Sequence, residues 1–231
     1  MTNAKLSSKQ VELEQSNFIT KVYGWMSFAL IITGFVAVWT AASPSLVNKI
    51  IGNNFIFYGL LIGELVCVAY LSSVIHKISA QMAALIFIAY AALNGLTFSM
   101  VFLVFTSESI ASTFLITAGT FGAMSIYGYF TKSDLTKIGN LAIMGLVGLI
   151  IASIVNMFLG SETLYWITTY VGILIFIALI AYDTQKIKKM NVIGNMGTED
   201  DKKEAIMGAL TLYLDFINIF LYFLRIFGKR K

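Results

Sequence analysis

The chain has 231 residues, 58% of them hydrophobic and 12% charged, with a mean hydropathy of +0.82, whereas a soluble domain carries about 25% charge. That composition excludes a soluble domain and points to an all-α membrane protein that crosses the bilayer several times. The net charge of +4 does not signal nucleic acid, because lysines gather at the ends of apolar runs, where membrane topology accounts for them.

The N-terminal region is polar (Thr2, Asn3, Lys5, Ser7, Ser8, Lys9, Gln10, Glu12, Glu14) and lacks the apolar core and small-residue cleavage site of a secretory signal. The first span is therefore expected to act as its own insertion signal. Apolar stretches of about 20 residues match a hydrocarbon core of about 30 Å. Seven occur, near Val22 to Ala42, Asn54 to Ile75, Ala80 to Phe105, Ser109 to Phe130, Asn140 to Gly160, Leu164 to Tyr182 and Ile206 to Phe227. The expected organisation is a cytoplasmic polar tail at 1–21, a seven-helix transmembrane domain at 22–227 and a short basic tail at 228–231.

Most connections are short: Ser43-Pro44 with the only proline, Ser72-Ser73 with His76-Lys77, Thr106 to Glu108, Thr131 to Gly139, and Gly160 to Glu162. The longer one, Thr184 to Glu204, carries Gly194, Asn195, Gly197 and the run Glu199-Asp200-Asp201-Lys202-Lys203-Glu204. It reads as a solvated loop, as charge runs usually do. With the N-terminus inside, Lys5, Lys9, Lys21, Lys77, Lys132, Lys137, Lys186, Lys188, Lys189, Lys202 and Lys203 are cytoplasmic, against Lys49 alone outside, which sets the orientation. A full seventh span then carries Arg225, Lys229, Arg230 and Lys231 outside, and a re-entrant last segment with a cytoplasmic tail is the alternative. Small residues within the spans (Ala83, Ala84, Ala91, Ala92, Gly95, Gly119, Gly122, Gly145, Gly148) are expected to let helix backbones approach closely.

Of twelve acidic residues, only Glu64, Asp183 and Asp215 fall inside spans, where an ionisable side chain is costly and marks a pathway or proton site by default. No lysine or arginine lies at comparable depth, so these acids are expected to be protonated, hydrated or cation-bound. Asp215 lies about 13 Å into the last span, at about 1.5 Å per residue, and Asp183 closes the sixth span on the same side. Consecutive antiparallel helices can bring the two together. Carboxyls in contact cannot both ionise cheaply, so they would share a proton, titrate as one unit, and switch between a hydrogen bond and mutual repulsion or cation capture. Asn218 lies one turn beyond Asp215 on the same face, and Glu64 is central in the second span. Packing readings stand beside these: Glu64 as a protonated acid bonded through Asn94 or Asn156, and Asp183 as a helix-end residue reaching the interface.

Other residue types offer less chemistry. The single Cys67 excludes an intramolecular disulfide and a cysteine zinc site, and His76, the only histidine, has no second ligand of its kind. No metal site, resident cofactor or catalytic residue is expected. An aspartyl protease would place one aspartate on each of two helices, but the Gly-x-Gly-Asp turn and Pro-Ala-Leu of such proteases are missing: Leu212-Tyr213-Leu214 precedes Asp215 and the sole proline is Pro44. The last span has no lysine for a retinal Schiff base.

The segment Met207-Gly-Ala-Leu-Thr-Leu-Tyr-Leu-Asp215-Phe-Ile-Asn218-Ile-Phe-Leu221 with Arg225, preceded by Ala181-Tyr-Asp183-Thr-Gln-Lys-Ile187, closely resembles the signature of the Bax inhibitor-1 family of membrane proteins. The resemblance implies a seven-transmembrane bundle of six helices around a central seventh, in a bacterial inner membrane, and a proton-sensitive calcium leak gated by an aspartate dyad. By motif position the dyad is Asp183 and Asp215, and Glu64 matches an acidic pore position, with Asn218 beside the pathway. It also implies, for some bacterial members, partnership with a membrane-anchored AAA protease. The chain departs from the pattern at the cytoplasmic end of the second helix, where well-described members have an arginine and Ile75, His76 and Lys77 stand here.

Overall fold

The computed structural model describes residues 7–50 and 52–231; the first part of the expected tail, with Thr2, Asn3 and Lys5, lies outside the described residues. Eight helices follow among those described: α1 (Ser8–Ala41), α2 (Pro44–Ile50), α3 (Asn54–Val74), α4 (Ala80–Val104), α5 (Ser107–Phe130), α6 (Thr136–Leu159), α7 (Glu162–Met190) and α8 (Glu199–Phe227). All except α2 are long and apolar enough to cross a membrane, as the all-α, seven-span expectation requires. The last helix stands apart in burial: 67% of its apolar window is buried, against 6 to 44% for the other six.

From Ser8 onward the polar N-terminal segment is part of α1, which continues through Lys21 without a break. Its start is a reciprocal capping box, in which Ser7 accepts the Gln10 N–H and the Gln10 side chain accepts the Ser7 N–H. One face stays buried along the whole helix, through Glu14, Phe18, Val22, Met26, Ala29, Thr33, Ala37 and Thr40, spaced by three or four residues as a helical stripe demands. Pro44, read as part of a turn, opens the short α2; its missing N–H costs nothing at a first helical position.

The Thr184 to Glu204 connection also differs from expectation. α7 remains helical to Met190 and α8 begins at Glu199, leaving only 191–198 outside helices. The acidic run is the first turn of α8, and most of it is bonded rather than solvated. Ala80 N–H donates to Glu199 Oε1 at 2.6 Å, and Asp201 is 1% exposed. Glu199, Asp200 and Lys202 remain exposed, Asp200 in an ion pair with Lys203 at 2.9 Å.

The chain forms two compact units: the first comprises the chain up to Val104 together with Ile187–Tyr213, the second Phe105–Lys186 together with Leu214–Lys231. In the first, α1 packs chiefly on α4. Gly95 makes that approach possible, since a Cβ there would meet Val36 Cβ at 2.7 Å and the Thr33 carbonyl at 2.8 Å. Tyr213 is fully buried, edge-on to Phe87 and Tyr90, with its hydroxyl 2.7 Å from Thr33 Oγ1.

In the second unit Phe114 and Phe121 of α5 pack on Phe216 of α8. Gly128 of α5 lies against the Ala181 backbone of α7, and Gly139 of α6 against the Tyr182 ring. Gly119, Gly122 and Gly148 have nothing within 4 Å of a built Cβ, so those expected close approaches do not occur; only Gly145, facing Ile175, joins Gly95 among the glycines singled out for packing. The C-terminal tail is tied down: Thr106 N–H donates to the Lys229 carbonyl at 2.9 Å and Phe105 bridges Arg230. The end of α8 thus lies on the side of the α4–α5 turn. With α8 helical over 29 residues, about 43 Å at about 1.5 Å per residue, the last segment is long enough for the expected full span. Arg225 rests over the Tyr165 and Tyr222 rings, 5.2 and 4.9 Å from their centroids.

Candidate functional site, a carboxyl pair on the last two helices

Asp183 and Asp215 both belong to the second unit, and their carboxyls lie within hydrogen-bonding reach of each other. Such a bond requires a proton, since two carboxylates have none to share. Both are buried, at 9% and 5% exposure, and Asp215 Oδ2 has no hydrogen-bond partner. Lys186 follows Asp183 by one turn of α7, close enough for its charge to act on that carboxyl; its ammonium lies 5.9 Å from the centroid of the Tyr182 ring.

α7 is held firmly where it carries Asp183. Each neighbour in Ala181-Tyr182-Asp183-Thr184-Gln185 leans on α5, α6 or the turn between them. Ala181 meets Gly128 and Tyr182 meets Gly139. Thr184 Oγ1 lies 3.5 Å from Ser125 Oγ. Gln185 takes the Leu135 N–H at 3.0 Å on its Oε1 and donates from Nε2 to the Ser133 carbonyl at 2.9 Å.

The other expected site residues lie elsewhere or bond differently. Asn218 turns back on its own helix, donating to the Leu214 carbonyl at 2.8 Å, so the polar stripe with Asp215 does not form as a hydrogen bond. Glu64 is in the first unit, where it accepts the Thr97 hydroxyl at 2.8 Å and the Asn94 amide at 3.5 Å. Of the two amides expected to reach it, Asn94 does; Asn156 instead accepts the Ser161 N–H at the end of α6. Asn94 Oδ1 is buried without a partner, so acceptor oxygen collects around Glu64. His76 lines a cavity of about 550 Å³ in the first unit with Asp200, Lys203 and Glu204. Among the described residues no three His, Cys, Asp or Glu side chains are grouped to hold a metal ion.

Residue type alone did not reveal Gln185, Thr33 and Tyr213, or Glu14 and Asp201. Gln185 sat inside the quoted motif, two positions from Asp183, and that adjacency was the available signal. Glu14 and Asp201 were hidden by their polar surroundings, which read as solvent-facing.

The fold and this pair define an integral membrane protein of seven apolar helices with two buried, neighbouring carboxyls on its last two. The family model described as "Inhibitor of apoptosis-promoting Bax1" matches residues 15–231. The chain is 50% identical over 216 residues to the inner membrane protein YbhL of Escherichia coli K12, covering 93% of this chain and 92% of that one. It is 43% identical over 223 residues to a protein of Borreliella burgdorferi, with 96% of each covered, and 42% identical over 220 residues to one of Rickettsia prowazekii, with 93% and 90% covered. The chain belongs to the Bax inhibitor-1 family.

Proposed function

We propose that this protein is a pH-sensitive leak for calcium and other cations, gated by Asp183 and Asp215. The observation that carries the reading is that two buried carboxyls on different membrane-spanning helices lie within hydrogen-bonding reach of each other. One shared proton ties α7 to α8. Its loss leaves two like charges in contact where water and countercharge are scarce, which costs several kcal/mol at low effective dielectric and is relieved by separation or by a passing cation. The unpartnered Asp215 Oδ2 offers that cation a lone pair. Calcium takes six to eight oxygens, so a pair of carboxyls, or Glu64 with its Thr97 and Asn94 neighbours, makes a weak station of the kind conduction requires. Asn218 lends the pathway its carbonyl oxygen, its amide nitrogen being occupied. The lysine distribution supports a cytoplasmic N-terminus, and a bacterial inner membrane is the setting.

Reconstituted protein in calcium-loaded vesicles tests the reading. Flux is expected to vary with pH with a midpoint near neutral, and Asp183→Asn and Asp215→Asn are expected to remove that dependence. Flux that ignores pH in the wild type and both variants would sink the proposal. It would favour the alternative, a regulator that binds a membrane-anchored AAA protease, which is read by co-purification from native membranes; cleavage of a reporter helix lost in either variant would instead favour an aspartyl protease.

A further inference from the structure

We propose that Gln185 is the positioning residue of the carboxyl pair, fixing Asp183 by clamping α7 to the turn between α5 and α6; this rests on the reading of the pair as a proton-sharing unit. Two residues along an α-helix differ by about 200° in direction, so Gln185 and Asp183 point to nearly opposite sides of α7. Asp183 reaches α8. Gln185 reaches the other way, to Ser133 and Leu135.

The clamp is two-sided. The Gln185 amide both accepts, from Leu135 N–H at 3.0 Å, and donates, to the Ser133 carbonyl at 2.9 Å, so it grips the backbone of the turn as a neighbouring strand would. The turn needs this grip. Leu135 is the N-cap residue of α6 and makes no side-chain cap bond, and it is 3% exposed, so water does not satisfy its N–H. Gln185 supplies that acceptor from α7. Asp134 is no substitute, because its Oδ1 takes the Thr136 N–H and hydroxyl. Gln185 is itself buried, at 7% exposure. The contacts of Ala181 with Gly128 and of Tyr182 with Gly139 add to this grip, so α7 is seated on α5 and α6 where it carries Asp183.

The charged groups around the pair are few. Lys186 stands on α7, and Lys132 and Asp134 lie in the clamped turn and are exposed; α5 meets α8 through Phe114 and Phe121, which carry no charge. A change at Gln185 that leaves these charges in place therefore acts on the pair through geometry.

The test reads the proton, not the leak. Infrared titration of the full chain in lipid follows the carbonyl band of the shared acid, assigned by its alteration in both Asp183→Asn and Asp215→Asn. Gln185→Leu, close in size and without hydrogen bonds, is expected to lower the pH at which the band is lost by one unit or more, a tenfold change in proton activity, as the loosened pair admits water. Gln185→Asn keeps an amide too short for both bonds and is expected to shift it less; it carries the test alone where the leucine variant does not fold. A folded variant whose band and midpoint superimpose on the wild type overturns the proposal. Vesicle flux reports on the leak independently, so an inactive leak with a shifted proton band separates failure of the gating reading from failure of this one.

Discussion

Lys21 Nζ lies 2.6 Å from Asp201 Oδ2, joining the polar extension of α1 to the first turn of α8. The lysine is partly exposed, but the aspartate side chain is 2% exposed and also accepts the Gly197 N–H at 2.8 Å. Glu14, about two turns earlier on α1, accepts the Gly194 and Met196 N–H groups at 2.9 and 3.0 Å. Three side chains from runs that read as solvent-facing thus hold the 191–198 connection on α1.

Removing Lys21 strands a buried carboxylate, whereas replacing both partners removes the problem with the charge. Lys21→Ala is expected to cost about 1–3 kcal/mol, and Lys21→Ala with Asp201→Asn less than the sum of the two single changes. A double-mutant cycle on thermal unfolding in detergent measures the coupling; additive single effects would rule it out.

The carboxyl pair has a consequence for stability that needs no ion flux. On the proposed reading, the folded protein holds a proton that two separated, solvated aspartates release near pH 4. Where the folded state binds more protons than the unfolded state, stability falls as pH rises. The melting temperature of the wild type is therefore expected to decline through the pair's titration, toward alkaline pH, and that of Asp215→Asn to stay flat over the same range. Parallel melting curves for the two would contradict the shared proton.

Glycine substitutions separate seats from open positions. Gly128→Ala drives a Cβ into the Ala181 backbone and Gly139→Ala into the Tyr182 ring, so each is expected to destabilise by about 1–3 kcal/mol and to disturb Asp183. Gly119→Ala and Gly122→Ala meet nothing within 4 Å and are expected to be neutral or to stabilise by up to about 1 kcal/mol, the helix-interior cost of glycine. Thermal melts of the four variants should fall into these two groups.

Tyr213 and Thr33 form a polar contact in an apolar setting. Thr33 Oγ1 also lies 2.9 Å from the Ala91 carbonyl and 3.0 Å from that of Ala29. Tyr213→Phe leaves the threonine with those acceptors and is expected to cost about 1 kcal/mol. Thr33→Val strands the buried Tyr213 hydroxyl and should cost more. The reverse order would show that the hydroxyl has another partner.

The docked C-terminus predicts topology directly. In a Cys67→Ser background, Lys231→Cys and Glu108→Cys are expected to react with an impermeant thiol reagent from one side of the membrane and Lys77→Cys from the other. Labelling of Lys231→Cys with Lys77→Cys would restore the re-entrant last segment.

Class and number of spans were legible in the sequence, because both follow from local quantities. Twenty apolar residues have one stable way to cross a bilayer, and an aspartate among them is conspicuous wherever it packs. The polar extension of α1 and the first turn of α8 were not legible. Both are hydrophilic, and composition does not distinguish a charge facing water from one whose partner lies 180 residues away, as Lys21 and Asp201 do. The same holds for the glycines: Gly128 and Gly119 are alike in sequence, and only the neighbouring helix makes one a seat and leaves the other in open space.

By itself, then, the sequence determined that seven helices cross a membrane with two acids on the last two, since hydropathy and helix length are properties of single segments. The tertiary structure alone decided that Asp183 and Asp215 touch, that Asn218 bonds its own backbone, and that Gln185 holds α7 against the turn before α6. Those are relations between segments, set by packing and by the need of every buried polar group for a partner, and no single segment carries them.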